Sequence, residues 1–205
     1  MDTIRYWFAA QSPWAWLGHE RLCAIAARHD AAIEPRPGDF GRVFAASGGL
    51  PLPQRAKQRQ AYRLVELQRW STFLGVPLNL HPKHFPVAGD EASLLILAAA
   101  QRHGNEAATR LAGALMRAVW AEERDIADRS TLQAIARECD FDGEALSGSR
   151  EAARPLYEQY TQQAIDAGVF GAPWYEFRGE PFWGQDRLDF LERALARVRP
   201  ATATG

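Results

Sequence analysis

The chain has 205 residues, 47% of them hydrophobic and 24% charged, with a formal net charge of -1. That is the composition of a globular chain able to bury a core, and the length suits one domain or one domain carrying an insertion. The near-zero charge and the lack of a basic stripe exclude nucleic acid as an expected partner. No apolar run approaches the length of a bilayer span, so no membrane partner is expected either.

From the N-terminus, Ile4, Tyr6 and Phe8 alternate with Arg5 and Trp7 and predict a short strand. Trp14, Leu17, Leu22 and Ile25 then recur at helical steps and predict a helix from Pro13 to about His29. Ala31-Ala32-Ile33-Glu34-Pro35-Arg36-Pro37 reads as a second strand that ends early or lies near an edge, because proline cannot donate to a ladder. A helical turn or two is expected over Asp39 to Ser47, before the loop Gly48-Gly49-Leu50-Pro51-Leu52-Pro53.

From Gln54 to about Ile165 the period is helical nearly throughout. Tyr62, Val65, Leu67, Trp70, Phe73 and Leu74 mark a helix ending near Gly75, and a connection from Leu78 to Gly89 follows. Leu94, Leu95 and Leu97 open a second helix, Leu111, Leu115 and Trp120 mark a third, and Asp128 or Ser130 caps a shorter fourth. A last helix runs from Glu151 to about Ala167, before Gly168. Val169 to Phe177 is then a loop entering a strand, Arg178-Gly179-Glu180 a turn, and Pro181-Phe182-Trp183 a partner strand. Leu188, Leu191 and Leu195 mark a final helix, with Asp186 in its first turn.

The order is βαβ, a helical block too long for a loop, then ββα. It predicts an α/β, thioredoxin-like fold with a large all-helical insertion. Residues 1–50 and 168–200 would form the thioredoxin-like domain, 51–167 the inserted helical domain, and 201–205 a frayed tail. In that plan Ala172-Pro173 is the cis-proline bond beside the N-terminus of the first helix.

At that N-terminus, Ser12-Pro13 is a cap followed by a proline at the first helical position. Free N–H groups and the helix dipole converge there, so an anion beside Ser12 would be stabilised. Capping alone also explains the serine. A disulfide oxidoreductase of this fold would carry cysteines at positions 12 and 15, and this chain reads Ser12-Pro13-Trp14-Ala15. Dithiol chemistry is thereby excluded there, and a reacting thiol must come from outside. Ser12 is better cast as a hydrogen-bond donor than as a nucleophile, having no positioned base.

Four stretches carry a resemblance: Ser12-Pro13; Leu67-Gln68-Arg69-Trp70 with Gly75-Val76-Pro77-Leu78; Val169-Phe170-Gly171-Ala172-Pro173; and Trp183-Gly184-Gln185-Asp186-Arg187-Leu188. Nearly the whole chain resembles the glutathione-dependent 2-hydroxychromene-2-carboxylate isomerases and their kappa-class glutathione transferase relatives. The resemblance implies that glutathione is the cofactor, that Ser12 is the catalytic residue holding its sulfur as thiolate, and that Ala172 and Pro173 bind its cysteinyl part. It implies that Gln185 and Asp186 hold the γ-glutamyl end and that Arg59 meets the glycyl carboxylate, with Lys57 the neighbouring choice. It further implies an isomerase acting by reversible thiolate addition to a conjugated aromatic substrate, and a homodimer. Members commonly carry an aspartate where this chain has Ala9-Ala10-Gln11, and an asparagine where Gly49 stands.

Trp14 and Trp16 are candidates to line an apolar substrate pocket. His81 and His84 have a metal-like spacing but lack further ligands, so no metal site is expected. Arg187 is equally suited to an anion or to an ion pair at the helix start. The cysteines, Cys23 and Cys139, form no C-x-x-C, which suits buried thiols in a reducing compartment. With no signal-peptide pattern at the start, a cytoplasmic location is expected. A kappa-type transferase acting on another electrophile and a non-catalytic thioredoxin-like binding module remain as alternatives.

Overall fold

A computed structural model describes residues 2–198. The expected frayed tail, 201–205, lies outside the described residues. The chain runs β1 (Asp2–Phe8), α1 (Pro13–Arg28), β2 (Ala31–Pro37), α2 (Phe40–Ser47), α3 (Lys57–Leu74), α4 (Asp90–His103), α5 (Asn105–Trp120), α6 (Arg129–Glu138), α7 (Gly143–Gly148), α8 (Arg154–Asp166), β3 (Trp174–Phe177), β4 (Glu180–Trp183) and α9 (Leu188–Val198). The strands form one sheet in the order β2-β1-β3-β4, parallel between β1 and β2 and antiparallel elsewhere. The register pairs Ile4 with Ile33 on one side and with Phe177 on the other.

The prolines of β2 are tolerated because that strand is an edge, as expected. Between β3 and β4, Arg178 and Gly179 both have positive φ, 51° and 84°, the geometry of a two-residue hairpin turn. Gly75, at φ 66°, ends α3 in the left-handed conformation that glycine adopts without steric cost.

Both faces of the sheet are covered. Ile4, Tyr6 and Phe8 join one cluster with Leu94, Leu95 and Leu97 of α4 and Leu111, Leu115 and Trp120 of α5. On the other face Trp7 packs with Phe40, Val43, Ala164 and Val169. Helices α4 to α8 thus share a core with the sheet, and this fixes the floor of the site against β1 and α1.

Three local readings need correction. The helix expected from Glu151 is broken: a 3₁₀ turn, Arg150–Ala153, precedes α8, where Pro155 sits in the first turn and lacks an N–H. Asp142 caps an additional short helix, α7. Asp186 lies in a 3₁₀ turn, Gln185–Arg187, ahead of α9 rather than inside it. On α3, the apolar stripe is only partly used, since Leu67 is buried while Tyr62, Val65 and Phe73 are exposed.

His19, in the middle of α1, is 2% exposed, with Nε2 3.8 Å from the Cys23 sulfur and the ring against Gly113 of α5. Burial lowers its pKa from 6.5 to about 4, partly offset by the Thr109 carbonyl. Between those values the unfolded chain takes up a proton that the folded chain refuses, so this group's contribution to stability is lost as pH falls through that window. About 2–3 kcal/mol is at stake between pH 7.5 and 4.5, at 1.4 kcal/mol per unit. Denaturant midpoints at the two pH values should therefore separate more in the wild type than in His19→Gln. Equal separation would show that carboxylates alone set the acid limit.

Candidate active site

Ser12 is the N-cap of α1, with an extended backbone and Oγ accepting from the Ala15 N–H at 3.2 Å. Accepting that bond leaves the hydroxyl hydrogen free to donate. The Ser12 N–H closes the turn out of β1 onto the Ala9 carbonyl at 2.9 Å, which fixes where the hydroxyl emerges.

Three depressions meet at Trp14. A cleft of about 500 Å³ is lined by Ser12, Trp14, Arg63, Phe85, Ala172 and Trp183 among others. A hollow of about 270 Å³ continues from Trp14 and Ala172 to Gln185, Asp186 and Arg187. A groove of about 470 Å³ runs from Trp14 past Arg59 and Tyr62. Of the residues singled out in the sequence, Ser12, Trp14, Ala172, Gln185, Asp186 and Arg59 therefore share one connected surface. Lys57 lines none of the three.

The Ala172-Pro173 bond is cis, and the buried Pro173 accepts from the Gly184 N–H at 2.9 Å. That contact ties the proline loop to the turn carrying Asp186. Gly184 has φ 98°, and a Cβ there would lie 2.5 Å from Asp186 Oδ1, so only glycine lets the carboxylate sit against the turn. Arg187 Nη1 pairs with Asp186 Oδ2 at 2.6 Å, deciding for the ion pair. Gln185 is 2% exposed and its amide oxygen accepts from Arg21 at 3.2 Å, so its side chain anchors the turn to α1 while Asp186 faces solvent.

Trp16 is a correction. Two positions along a helix point to different sides, and Trp16 is buried, its indole N–H donating to the Pro77 carbonyl at 2.9 Å. It borders instead a separate cavity of about 860 Å³ with His19, Cys23 and Cys139. That cavity is larger than the cleft but contains none of the residues gathered around Ser12. His84 lies 3.9 Å from Asp125, and among the described residues no group of three or more His, Cys, Asp or Glu could hold a metal.

Two features of the cleft escaped the sequence reading. At one wall the Tyr157 hydroxyl donates to Asp90 at 2.7 Å, and burial followed by the Asp90 carboxylate pushes that phenol well above the ordinary tyrosine range. At another, the Arg63 guanidinium lies 5.5 Å from the Phe85 ring and 5.7 Å from the Trp120 ring. Trp120 in turn donates to the Gln11 carbonyl, beside Ser12, at 3.2 Å. A signal for Arg63 was present, since it stands four residues before the buried Leu67 and so on the inner side of α3.

Residues 3–196 match the DSBA-like thioredoxin domain family. A 2-hydroxychromene-2-carboxylate isomerase of Sphingobium xenophagum is 31% identical over 94% of this chain and 97% of its own length. The chain belongs to the 2-hydroxychromene-2-carboxylate isomerase family. A solved structure of such an isomerase superposes with a TM-score of 0.81 at 26% identity, covering 96% of this chain and 95% of the other. A kappa-class glutathione S-transferase of Caenorhabditis elegans is 23% identical over 92% of this chain and 91% of that protein. The chain is accordingly an enzyme of isomerase or transferase type, on a DsbA-like thioredoxin fold with a helical insertion. Among the described residues no helix is long and apolar enough to cross a membrane.

One departure from the isomerase family's usual pattern has a local consequence. Gln11, in the segment Ala9-Ala10-Gln11 where the resemblance leads one to expect an aspartate, lies so close to Gly89 that a Cβ there would be 2.0 Å from its Oε1. The amide therefore packs under the loop that leads to Asp90, a contact in which a neutral side chain carries no desolvated charge.

Proposed function

We propose that this enzyme is a glutathione-dependent cis-trans isomerase of the 2-hydroxychromene-2-carboxylate type. The observation that carries the reading is Ser12, a hydroxyl at the N-terminus of α1 and on the same cleft as Ala172, where a redox enzyme of this fold would carry cysteine. The surface fits the tripeptide chemically. It offers a carboxylate, Asp186, for an ammonium group; a backbone beside a cis-proline for an amide; and a cation, Arg59, for a carboxylate. The close Gly184 turn leaves room for the first of these.

Glutathione, when bound, supplies the nucleophilic sulfur whose reversible addition to a conjugated carbon frees the double bond to rotate. The chain's own residues do the rest. Ser12 donates a hydrogen bond to a sulfur anion, and the α1 dipole adds positive potential at the same point. Asp186, Ala172 and Arg59 fix the tripeptide along the groove, so that the sulfur and the cleft are held in register. The aromatic walls, Trp14 and Phe85 among them, exclude water and bind a flat apolar body. Under this reading the enzyme works in the reducing cytoplasm and as a homodimer.

Conversion of 2-hydroxychromene-2-carboxylate followed by absorbance tests the reading. Turnover that saturates with reduced glutathione and is absent with S-methylglutathione is expected. Equal rates with and without the thiol would sink it. The kappa-class relative supports a second reading, transfer of glutathione to another electrophile. Accumulation of a stable thioether product rather than of the isomer distinguishes that case.

A further inference from the structure

We propose that Arg63 is the specificity residue for the electrophilic substrate's carboxylate, and that the substrate lies across the cleft with its hydroxyl end at the Asp90–Tyr157 pair. The inference rests on the reading above and adds to it an orientation: the residues that hold the carboxylate and the hydroxyl ends of such a flat aryl acid.

Among the described residues, Arg63 combines partial burial with the lack of an acceptor, whereas Arg59, Arg102 and Arg129, which also show none, are exposed. Arg5, Arg28, Arg36, Arg124, Arg154 and Arg178 each reach a carboxylate within the protein. Arg63, half-buried on the inner side of α3, has only the Phe85 and Trp120 rings beside it and, among the described residues, no hydrogen-bond acceptor or ion-pair partner. A guanidinium has five N–H donors, and removing them from water without acceptors is costly. Burial and the neighbouring charge of Arg55 lower its pKa to about 10, which leaves it charged at neutral pH. A bound carboxylate would supply the missing acceptors in a bidentate geometry, with the rings holding the fork in place.

The position matches that task. Through Trp120 and the Gln11 carbonyl, Arg63 is linked to the turn carrying Ser12, so an anion on it would share the cleft onto which Ser12 opens. Arg55, held by Nε on the Leu50 carbonyl, adds a second positive charge to the same cleft. The Asp90 carboxylate and the Tyr157 hydroxyl give the cleft an acidic wall, suited to a hydroxyl donor and hostile to a second carboxylate. Arg63 and Arg55 line both the cleft and the outer groove, whereas Arg59 lines the groove and not the cleft and is the cation left for the glycyl carboxylate of glutathione.

Cinnamate and cinnamamide, titrated without glutathione and read by tryptophan fluorescence, separate the possibilities. The wild type should bind the acid more tightly than the amide, and 2-hydroxycinnamate more tightly than cinnamate. Arg63→Met should lower affinity for the acid by about 10–100-fold while leaving the amide and glutathione within about twofold. Arg63→Lys should restore part of the acid preference, which guards against a misfolded variant. Asp90→Asn should remove only the hydroxyl preference. An unchanged acid preference in Arg63→Met, no acid preference in the wild type, or a loss confined to glutathione would each overturn the proposal. Failure of glutathione to bind the wild type would instead count against the underlying reading, since the acid and amide titrations do not involve it.

Discussion

Ser12→Ala should lower kcat/KM for glutathione-dependent isomerisation by about 10²–10³-fold, the range seen when one preorganised donor to a developing anion is removed. The hydroxyl serves two partners, accepting from the Ala15 N–H at 3.2 Å and, in the proposed complex, donating to sulfur. Losing the first contact costs about 1 kcal/mol of stability, the usual effect of losing an N-cap. Losing the second removes charge stabilisation where it matters for rate, so the fall should lie in kcat at saturating glutathione and neutral pH. Raising the pH should recover part of the loss, because the thiol then ionises without help. Ser12→Thr keeps the hydroxyl and should retain most of the activity. If Ser12→Ala turned over as fast as the wild type, Ser12 would be a cap and nothing more.

Asp186→Asn should weaken glutathione binding by about 10–100-fold and leave kcat at saturation within a few-fold. The carboxylate sits in a hollow, on a turn that only Gly184 permits, paired with Arg187 at 2.6 Å. That ion pair is about half exposed and contributes little to stability, so the substitution should leave folding nearly unchanged. The carboxylate is the surface's offered partner for an ammonium group, and a hydrogen-bonded charge pair of that kind is worth about 1.5–3 kcal/mol. Calorimetric titration of both proteins with reduced glutathione measures the difference directly. Equal affinities would remove Asp186 from the binding site and place the γ-glutamyl end elsewhere.

Much of this architecture was legible in the residues because local signals agreed. Alternation in β1, proline at the start of α1, glycine after α3 and the Arg178-Gly179 turn each correspond to a feature of the backbone. The readings that failed depend on what packs against an element. Periodicity located α3 but did not say that Leu67 would be buried while Phe73 stayed exposed. Trp16 and Trp14 point to different sides of α1, and which side faces the cleft is set by what packs there: Trp16 joins the core and donates its indole N–H to the Pro77 carbonyl beyond the end of α3. The break before α8 falls at Pro155, in the first turn of that helix, which a helical reading from Glu151 to Ala167 does not take into account.

The site divides along the same line. Ser12, Ala172, Gln185 and Asp186 belong to short contiguous stretches, and their proposed roles come from the resemblance those stretches carry. Arg63 and the Asp90–Tyr157 pair come together from α3, α4 and α8, and no local pattern joins them. Arg63 stood on the inner side of an amphipathic helix, where a cation is a signal in its own right. It is recognisable as one only once Leu67 is known to face inward.

The central claim is that the chain binds an external thiol as its anion beside Ser12. Thiolate absorbance in the ultraviolet, recorded as reduced glutathione is added to the protein at pH 6.5 and again with Ser12→Ala, tests it most directly. A free thiol of pKa about 8.5 is almost wholly protonated at that pH. A saturable thiolate signal of nearly one per chain is expected in the wild type, and a much smaller one in the variant at equal occupancy. Glutathione bound to the wild type with no thiolate signal would contradict the account.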